Sequence, residues 1–187
     1  VCLRSMKKAK YTPECMGHFG LAFNYYCHFT SPIRRYPDLM THRIIKRVLI
    51  NPKNLEGDTT HFNQILPSIA DISSKQERKA VECERAVNDM LSAWYMQNQK
   101  EEYLTGTITS VTSFGMFVTL ENGIEGLVSL NNLFDYFYHD SYNMSYSNGK
   151  ITYKLGDKVT VVVINADKKS RKIDFIFKSD YLKWRNE

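Results

Sequence analysis

The sequence predicts an α+β chain, in which a helical N-terminal part is followed by a small closed barrel of five short strands. Three observations support this prediction. Apolar residues recur at helical spacing through roughly the first hundred positions. From Tyr103 onwards the pattern changes to alternation of apolar and polar residues, which is typical of half-buried strands. Glycines then mark the turns between the strands, at Gly123, Gly149 and Gly156.

The first predicted helix follows a segment rich in loops. Prolines and glycines interrupt residues 1–37 throughout. Asp38 then offers an N-cap side chain, and a helix across Leu39–Ile50 places its apolar residues on one face. Asn51 and Pro52 end this helix, because proline cannot continue it.

A second helix is predicted over Ser73–Lys100, with Ser68 as an alternative start. Ser74 and Glu77 have the spacing of a capping box. The helix carries an apolar stripe whose members recur at steps of three and four, namely Ala80, Cys83, Val87, Met90 and Trp94. We interpret this stripe as core or as a seam against a missing partner.

The barrel is predicted from five runs of alternating residues. These runs are Thr105–Val111, Gly115–Leu120, Gly126–Ser129, Lys158–Asn165 and Lys172–Phe177. Five short strands within roughly 75 residues suit a small closed barrel such as the OB-fold. The polar run Asp167–Ser170 predicts a hairpin turn before the last strand, and Asp180–Glu187 predicts a helical tail. We therefore expect a first domain at residues 1–99, a barrel domain at 100–180 and a tail at 181–187.

Composition excludes several classes of protein. No stretch approaches the roughly 20 apolar residues that a membrane-spanning helix needs, so we expect no contact with a membrane. Charges break the N-terminal segment, which therefore does not resemble a signal peptide. The first residue is Val1, so we expect a piece of a longer protein. The cysteines show no CxxC pairing and predict four reduced thiols in a cytoplasmic protein, at Cys2, Cys15, Cys27 and Cys83.

Charge is distributed unevenly along the chain. Residues 1–53 hold 10 basic residues against 2 acidic ones, interleaved with 7 aromatic residues. Two interpretations are about equally favoured. One is a binding surface for a polyanion with flat bases, and the other is a solvated surface that covers an aromatic core. Residues 101–149 carry 6 acidic residues and no lysine or arginine, whereas residues 150–187 carry 10 basic against 5 acidic residues. Any phosphate contact in the barrel is therefore expected from its second half.

One motif in the first domain places two arginines where they could bind phosphate. The run His28–Asp38 reads HFTSPIRRYPD, so prolines flank the pair Arg34 and Arg35. Prolines restrict the backbone and preorganise the two guanidinium groups, which can make forked hydrogen bonds to phosphate and stabilise charge that develops on it. The alternative is that the arginine pair only holds the loop to a helix C-terminus or to Asp38.

The same run, with His42 and Arg43 after it, resembles the HFTSPIRRYPDLxxHR signature of the RNB family. Residues 11–13, 17–21 and 80–89 resemble further parts of that family. RNB proteins are processive 3′→5′ exoribonucleases of the ribonuclease II and ribonuclease R types, which hydrolyse RNA to nucleoside 5′-monophosphates with magnesium. The tyrosine-proline form of the loop is most similar to the ribonuclease R type. The resemblance implies that the chain is the C-terminal part of such a catalytic domain.

The resemblance also implies roles for individual residues. Arg34 matches the family's catalytic arginine beside the scissile phosphate. Glu84 matches a glutamate near the 3′-terminal nucleotide, which it would hydrogen-bond. Arg35, Tyr36 and His42 are weaker candidates, which would line the RNA channel or brace Arg34. Tyr36 and His42 could equally be core residues with satisfied polar atoms.

Magnesium is expected in the parent enzyme only. The family's metal-binding aspartates form a cluster upstream of the arginine loop, whereas here Asp38 is the only aspartate before Asp58. We therefore predict no metal ligands and no bound cofactor in this chain, and no hydrolysis by this chain alone.

The barrel resembles an S1 domain, which binds single-stranded RNA. The resemblance lies in Tyr103–Ile108, Ser113–Val118, Gly123–Val128 and Leu155–Val159. S1 domains stack bases on aromatic residues of strands 2 and 3, which implies RNA contacts from Phe114 and Phe117. Lys172 stands where S1 domains often have an arginine, and Tyr138, in the aromatic segment after the third strand, is a further candidate for stacking a base. Met116 and Val118 are expected in the core, which leaves Phe117 outward. The other aromatic residues that follow the third strand are expected to pack a long loop against the barrel.

Three functional interpretations follow. The first is the C-terminal portion of an exoribonuclease, and the second is an RNA-binding module that never hydrolyses. The third is an interaction scaffold built on the apolar stripe of the second helix. For the first, we expect a monomeric parent enzyme, single-stranded RNA as the partner, and self-association of the isolated chain through an exposed helical face.

Overall fold

A computed structural model describes residues 9–99 and 103–185. These residues form two compact units that divide between Cys83 and Glu84, inside a long helix. Helices followed by a closed five-stranded barrel confirm the predicted fold class. The predicted boundary at residues 99 and 100 stays a prediction, and Cys2 lies outside the described residues. Within the described residues, no helix has both the length and the apolar character that a membrane span requires.

The first unit contains a short 3₁₀ turn at Phe19–Leu21, helix α1 at Tyr36–Ile44 and a π-helical segment at Ile45–Ile50. Helix α1 begins at Tyr36, three residues earlier than expected, and Asp38 is not its N-cap. Pro37 fits the first turn, where a missing N–H is tolerated. The Asp38 side chain lies inside that turn, fully buried, and faces the preceding loop.

Helix α2 spans Leu55–Gln97 and so begins well before the predicted start at Ser73 and the alternative start at Ser68. Asn54 caps it, because its side-chain oxygen accepts a hydrogen bond from the Gly57 N–H at 3.1 Å. Pro67 lies within the helix and does not end it. The sequence prediction failed here because proline normally breaks a helix.

The predicted capping box at Ser74 is also wrong. Ser74 lies inside α2, where its hydroxyl donates to the Ala70 carbonyl at 2.8 Å. The same oxygen accepts a hydrogen bond from the Tyr11 N–H at 2.9 Å. Ser74 therefore fastens the N-terminal loop to the helix instead of starting the helix.

The apolar stripe of α2 is largely exposed. Val87 and Trp94 retain 45% and 50% of their surface, and Cys83 is also exposed. The buried residues at this end of α2 are instead Ala93 and Met96, which join the barrel core. Because the stripe is exposed and not part of a core, its exposure favours the interpretation as a seam against a missing partner.

The second unit is built on a closed barrel whose five strands follow the predicted runs closely. The strands are β1 (Leu104–Thr112), β2 (Gly115–Leu120), β3 (Glu125–Ser129), β7 (Lys158–Asp167) and β8 (Lys172–Phe177). Their order is β1-β2-β3-β8-β7, and β7 pairs with β1 to close the barrel. All pairs are antiparallel except β3 with β8. Gly126 allows this packing, because a Cβ there would meet the Phe175 ring at 2.4 Å.

Between β3 and β7 the chain forms a three-stranded sheet that the sequence analysis did not predict. Its strands are β4 (Tyr138–Asp140), β5 (Ser145–Ser147) and β6 (Thr152–Lys154). The buried Tyr146 hydroxyl donates to the Thr112 carbonyl, and the Tyr153 ring stacks on Phe177 with centroids 4.2 Å apart. Phe137 and Tyr146 are buried and pack as expected, whereas the expectation is wrong for Tyr136 and Tyr142, which are largely exposed. The final helix, α3, spans Lys178–Arg185.

Candidate nucleic-acid interface

The loop that carries the arginine pair is closed by a buried carboxylate. Asp38 Oδ2 accepts hydrogen bonds from the Ser31 N–H at 2.8 Å and from Arg35 Nη2 at 2.9 Å. The backbone N–H groups of Arg34 and Arg35 both donate to the Ser31 carbonyl, at 3.3 and 3.0 Å. These bonds make residues 31–35 a tight turn that is fixed to the first turn of α1.

The ion pair inside this turn is electrostatically favourable. Burial raises the pKa of Asp38, but the hydrogen bonds from the Ser31 N–H and the Arg35 guanidinium outweigh burial and hold the pKa below its usual range. Asp38 is therefore ionised at neutral pH. Its second oxygen, Oδ1, and Arg35 Nε have no hydrogen-bond partner among the described residues.

The two arginines have different environments. Arg35 is largely buried and bound to Asp38, which matches the interpretation that an arginine holds the loop. Arg34 is exposed beside the fully exposed Ile33, and its guanidinium makes no hydrogen bond or ion pair with any described residue. One arginine thus positions the turn, and the other is presented to solvent by it.

Tyr36 and His42 flank this turn in different ways. Tyr36 is 48% exposed, and the Arg43 guanidinium lies 6.0 Å from its ring centroid. His42 Nε2 donates to the Phe29 carbonyl at 2.8 Å, and its ring stacks on that of Phe29 at 4.3 Å. His42 therefore braces the loop, whereas Tyr36 offers a ring face to the surroundings.

An aromatic chain supports the same loop from the N-terminal side. Tyr11 Oη lies 3.1 Å from His28 Nδ1, and the His28 ring makes an edge contact with Tyr26 at 5.8 Å. Burial, with a hydrogen bond to Glu77, raises the pKa of Tyr11 to about 12. The sequence analysis missed this role of Tyr11, although the tyrosine stands in one of the quoted motifs.

Glu84 lies on α2 with an exposed side chain, in the second unit. Arg34 belongs to the first unit. Glu84 therefore remains a candidate on the strength of the sequence resemblance.

The outer face of the barrel places an aromatic pair on β2 and on the turn before it. Met116 and Val118 are fully buried, and Phe117 between them faces outward, as expected from alternation. Phe114 is 55% exposed, and its ring meets that of Phe117 edge to face at 6.1 Å. Phe117 lies beside Leu127 of β3 in the strand register. These side chains form an exposed apolar patch that can stack bases.

Charged groups border this patch on β8. Leu127 pairs with Asp174, and Lys172, two residues earlier, shares the same side of the strand. The carboxylate of Asp174 accepts a hydrogen bond from the Asn165 amide at 3.2 Å. Lys172 is exposed and is the cation of this strand, so it is placed to meet a phosphate beside a stacked base.

Tyr138 lies on β4 and so belongs to a different sheet from this patch. It is 75% exposed, and Tyr136, 82% exposed, meets its ring at 6.2 Å. Tyr142 is 92% exposed in the turn that follows. The inserted sheet thus buries some aromatic rings and presents others to solvent.

Metal ligands do not converge anywhere in residues 9–99 and 103–185. No group of three or more His, Cys, Asp or Glu side chains in that part of the chain could hold an ion. The described residues therefore do not fit a magnesium site.

Comparison with protein families gives two matches. Residues 1–51 match the RNB domain, and residues 97–178 match the S1 RNA binding domain. Ribonuclease R of Mycoplasmopsis pulmonis is 43% identical over 180 residues, which cover 96% of this chain and 25% of that protein. Ribonuclease R of Escherichia coli strain K12 is 45% identical over 184 residues, which cover 92% and 22%. The chain therefore spans about a quarter of the length of these relatives.

Solved structures of a third relative match the fold. The apo form of Mycoplasma genitalium ribonuclease R superposes with a TM-score of 0.85 at 30% identity, over 94% of this chain and 28% of that one. The same protein in complex with ribose-methylated single-stranded RNA matches with the same values. Its complex with double-stranded RNA matches with a TM-score of 0.68 at 26% identity, over 91% and 25%.

Proposed function

We propose that this chain, which resembles ribonuclease R of the RNB exoribonuclease family along almost its whole length, is the C-terminal part of such an enzyme. The parent protein would be a processive 3′→5′ exoribonuclease that releases nucleoside 5′-monophosphates. The observation that supports this most strongly is the exposed Arg34, presented by a turn that the buried pair of Arg35 and Asp38 holds in place.

Arg34 would act on the scissile phosphate. A guanidinium can donate two parallel hydrogen bonds to phosphate oxygens, and it stabilises the negative charge that grows on them during cleavage. The turn would contribute preorganisation, because its backbone bonds and ion pair form before RNA arrives. Glu84 would hydrogen-bond the 3′-terminal nucleotide, and Tyr36 would line the RNA path.

Magnesium would be held by aspartates elsewhere in the parent protein. The described residues offer no converging ligands, so no step of hydrolysis is assigned to a metal on this chain. When bound to the parent enzyme, magnesium would supply an activated water as the nucleophile. We therefore propose that this chain alone does not hydrolyse RNA.

The barrel would hold the single strand upstream of its 3′ end. Phe114 and Phe117 would stack bases, and Lys172 would contact a phosphate. Tyr138 would add a stacking surface on the inserted sheet. A non-catalytic RNA-binding module is the second candidate function, favoured by the lack of converging metal ligands in the described residues.

We also propose where the protein acts and in which oligomeric state. We propose a reducing, cytoplasmic setting, in which the exposed Cys15, Cys27 and Cys83 would stay reduced. The parent enzyme would be monomeric, and the exposed apolar stripe of α2 would let the isolated chain self-associate.

Fluorescence anisotropy with labelled RNA of about 16 nucleotides tests the binding function. We expect the chain to bind the single strand at least about tenfold more tightly than a blunt duplex of equal length, because duplex bases cannot reach the aromatic patch. The logarithm of the association constant should fall linearly with the logarithm of the salt concentration. Equal affinity for both RNAs, or no binding, would contradict the proposal.

A further inference from the structure

The first unit carries an open cleft of about 830 Å³, which we call the cavity. It lies among α1, the π-helical segment, the following loop and the first turns of α2, and all of its lining residues belong to the first unit. Tyr36, already a candidate for RNA contact, lies at one edge. The proposed function does not assign a role to the rest of this cavity.

Positive charge dominates the cavity. Four cations line it, namely Arg43, Lys46, Arg47 and Lys53. The single carboxylate among the lining residues is Asp58, which is 6% exposed. It forms an ion pair with Arg47, whose Nε lies 2.6 Å from Asp58 Oδ1. One carboxylate neutralises one cation, so the cavity keeps a strong net attraction for anions.

Each of the two arginines of the cavity lies near an aromatic ring. The Arg43 guanidinium lies 6.0 Å from the Tyr36 centroid, and that of Arg47 lies 5.9 Å from the Phe62 centroid. At these distances a cation–π contact attracts the guanidinium weakly and leaves its N–H groups able to donate. The cavity therefore holds two guanidinium groups that can donate hydrogen bonds close to aromatic rings.

The floor of the same cavity is apolar. Met40 and Phe62 are 4% and 7% exposed, and Ile65 and Ile69 lie beside them. The loop contributes side-chain amides from Asn51 and Asn54. A small inorganic anion would leave the apolar floor uncovered, whereas a ligand with a flat base and a phosphate would use both the floor and the cations.

We propose that this cavity binds a nucleoside 5′-phosphate, either as a free nucleotide or as one residue of an RNA strand. The phosphate contacts the cations, and the base covers the apolar floor. The inference goes beyond the proposed function and does not depend on it, because a free nucleotide can occupy the cavity of a chain that binds no strand.

A titration of the isotope-labelled full chain, followed by amide chemical shifts, tests this inference. The probes are adenosine 5′-monophosphate, adenosine and a single-stranded oligoribonucleotide. We expect the monophosphate, the strand, or both, to shift the amides of Asn51, Asn54 and Gly57, and adenosine to bind at least about tenfold more weakly. Shifts with the strand alone identify a strand residue as the ligand, and shifts with the monophosphate identify a free nucleotide.

Two results would overturn the inference. One is that none of these amides responds to either phosphate-bearing probe, and the other is that adenosine binds as tightly as its monophosphate. If RNA shifts only barrel amides, and the monophosphate shifts no cavity amide, binding at the cavity is contradicted and the proposed function is left intact. A monophosphate that shifts the cavity amides while RNA binds nowhere would support the cavity and contradict the proposed function.

Paired lysine substitutions provide the matched control. K46Q with K53Q removes two cavity cations, and K10Q with K79Q removes two exposed cations that do not line the cavity. For whichever phosphate ligand binds, we expect about a tenfold loss of affinity in the first pair only. If the ligand is a strand, the slope of log affinity against log salt becomes shallower by about 1.4, which is about 0.7 for each lost phosphate contact. Equal losses in both pairs would overturn the inference.

Discussion

Replacing both Phe114 and Phe117 by alanine is expected to weaken binding of single-stranded RNA by about 30-fold or more. Each stacked base contributes about 1–3 kcal/mol, so the loss of two stacks removes at least about 2 kcal/mol. The two rings already contact each other at 6.1 Å, and both lie outside the barrel core. Fluorescence anisotropy at fixed salt measures the effect.

Tyr142→Ala is the matched control for this pair. Tyr142 is 92% exposed, so its removal deletes an aromatic ring without opening the core. It belongs to the turn between β4 and β5 and not to the β2 strand that carries Phe117. We expect an affinity within about twofold of the unchanged chain. A loss in Y142A as large as that in the double variant would assign RNA binding to the inserted sheet instead.

Replacing Asp38 by asparagine is expected to lower the free energy of unfolding of the first unit by about 2–4 kcal/mol. The substitution keeps the size of the side chain and removes the charge that pairs with the largely buried Arg35, which leaves that guanidinium without its partner. Urea unfolding followed by the amide resonances of α1 measures the loss.

The pH dependence gives a second readout for Asp38. Its pKa in the folded chain is lower than the usual value of 3.8, so folding favours the ionised form. The stabilisation is complete above that usual value and is lost as pH falls through the lower pKa of the folded state. D38N should lack this acid-dependent component, and its stability should vary less with pH below about 4.

Asp71→Asn serves as the control for Asp38. Asp71 pairs with Lys75 at 2.7 Å, but both side chains are more than half exposed. Exposed ion pairs contribute little to folding stability, so D71N should change the free energy of unfolding by less than about 1 kcal/mol. Equal losses in D38N and D71N would show that the buried pair does not hold the arginine loop.

The barrel could be predicted closely from the sequence. Strands β2 and β8 have the predicted bounds, because alternation of buried and exposed residues is a local signal. The outward position of Phe117 followed from the same alternation. The inserted sheet was missed because each of its strands has three residues, too few to show a period.

The helical part was harder to predict because its boundaries depend on tertiary contacts. Asn54 starts α2 at Leu55, and Pro67 lies inside the helix, which local rules do not favour. Asp38 resembles an N-cap in the sequence, yet it accepts hydrogen bonds from the Ser31 N–H and from Arg35. The sequence placed both arginines on one loop, and only their contacts distinguish the positioning residue from the presented one.

The most direct test of the central claim is incubation of the chain with 5′-labelled single-stranded RNA, with and without magnesium, followed by sizing of the products. The account predicts that the RNA is bound and keeps its full length under both conditions. Stepwise, magnesium-dependent shortening from the 3′ end would contradict it. That result would mean that carboxylates of this chain, such as Glu82, Glu84 and Asp89, hold the ion themselves.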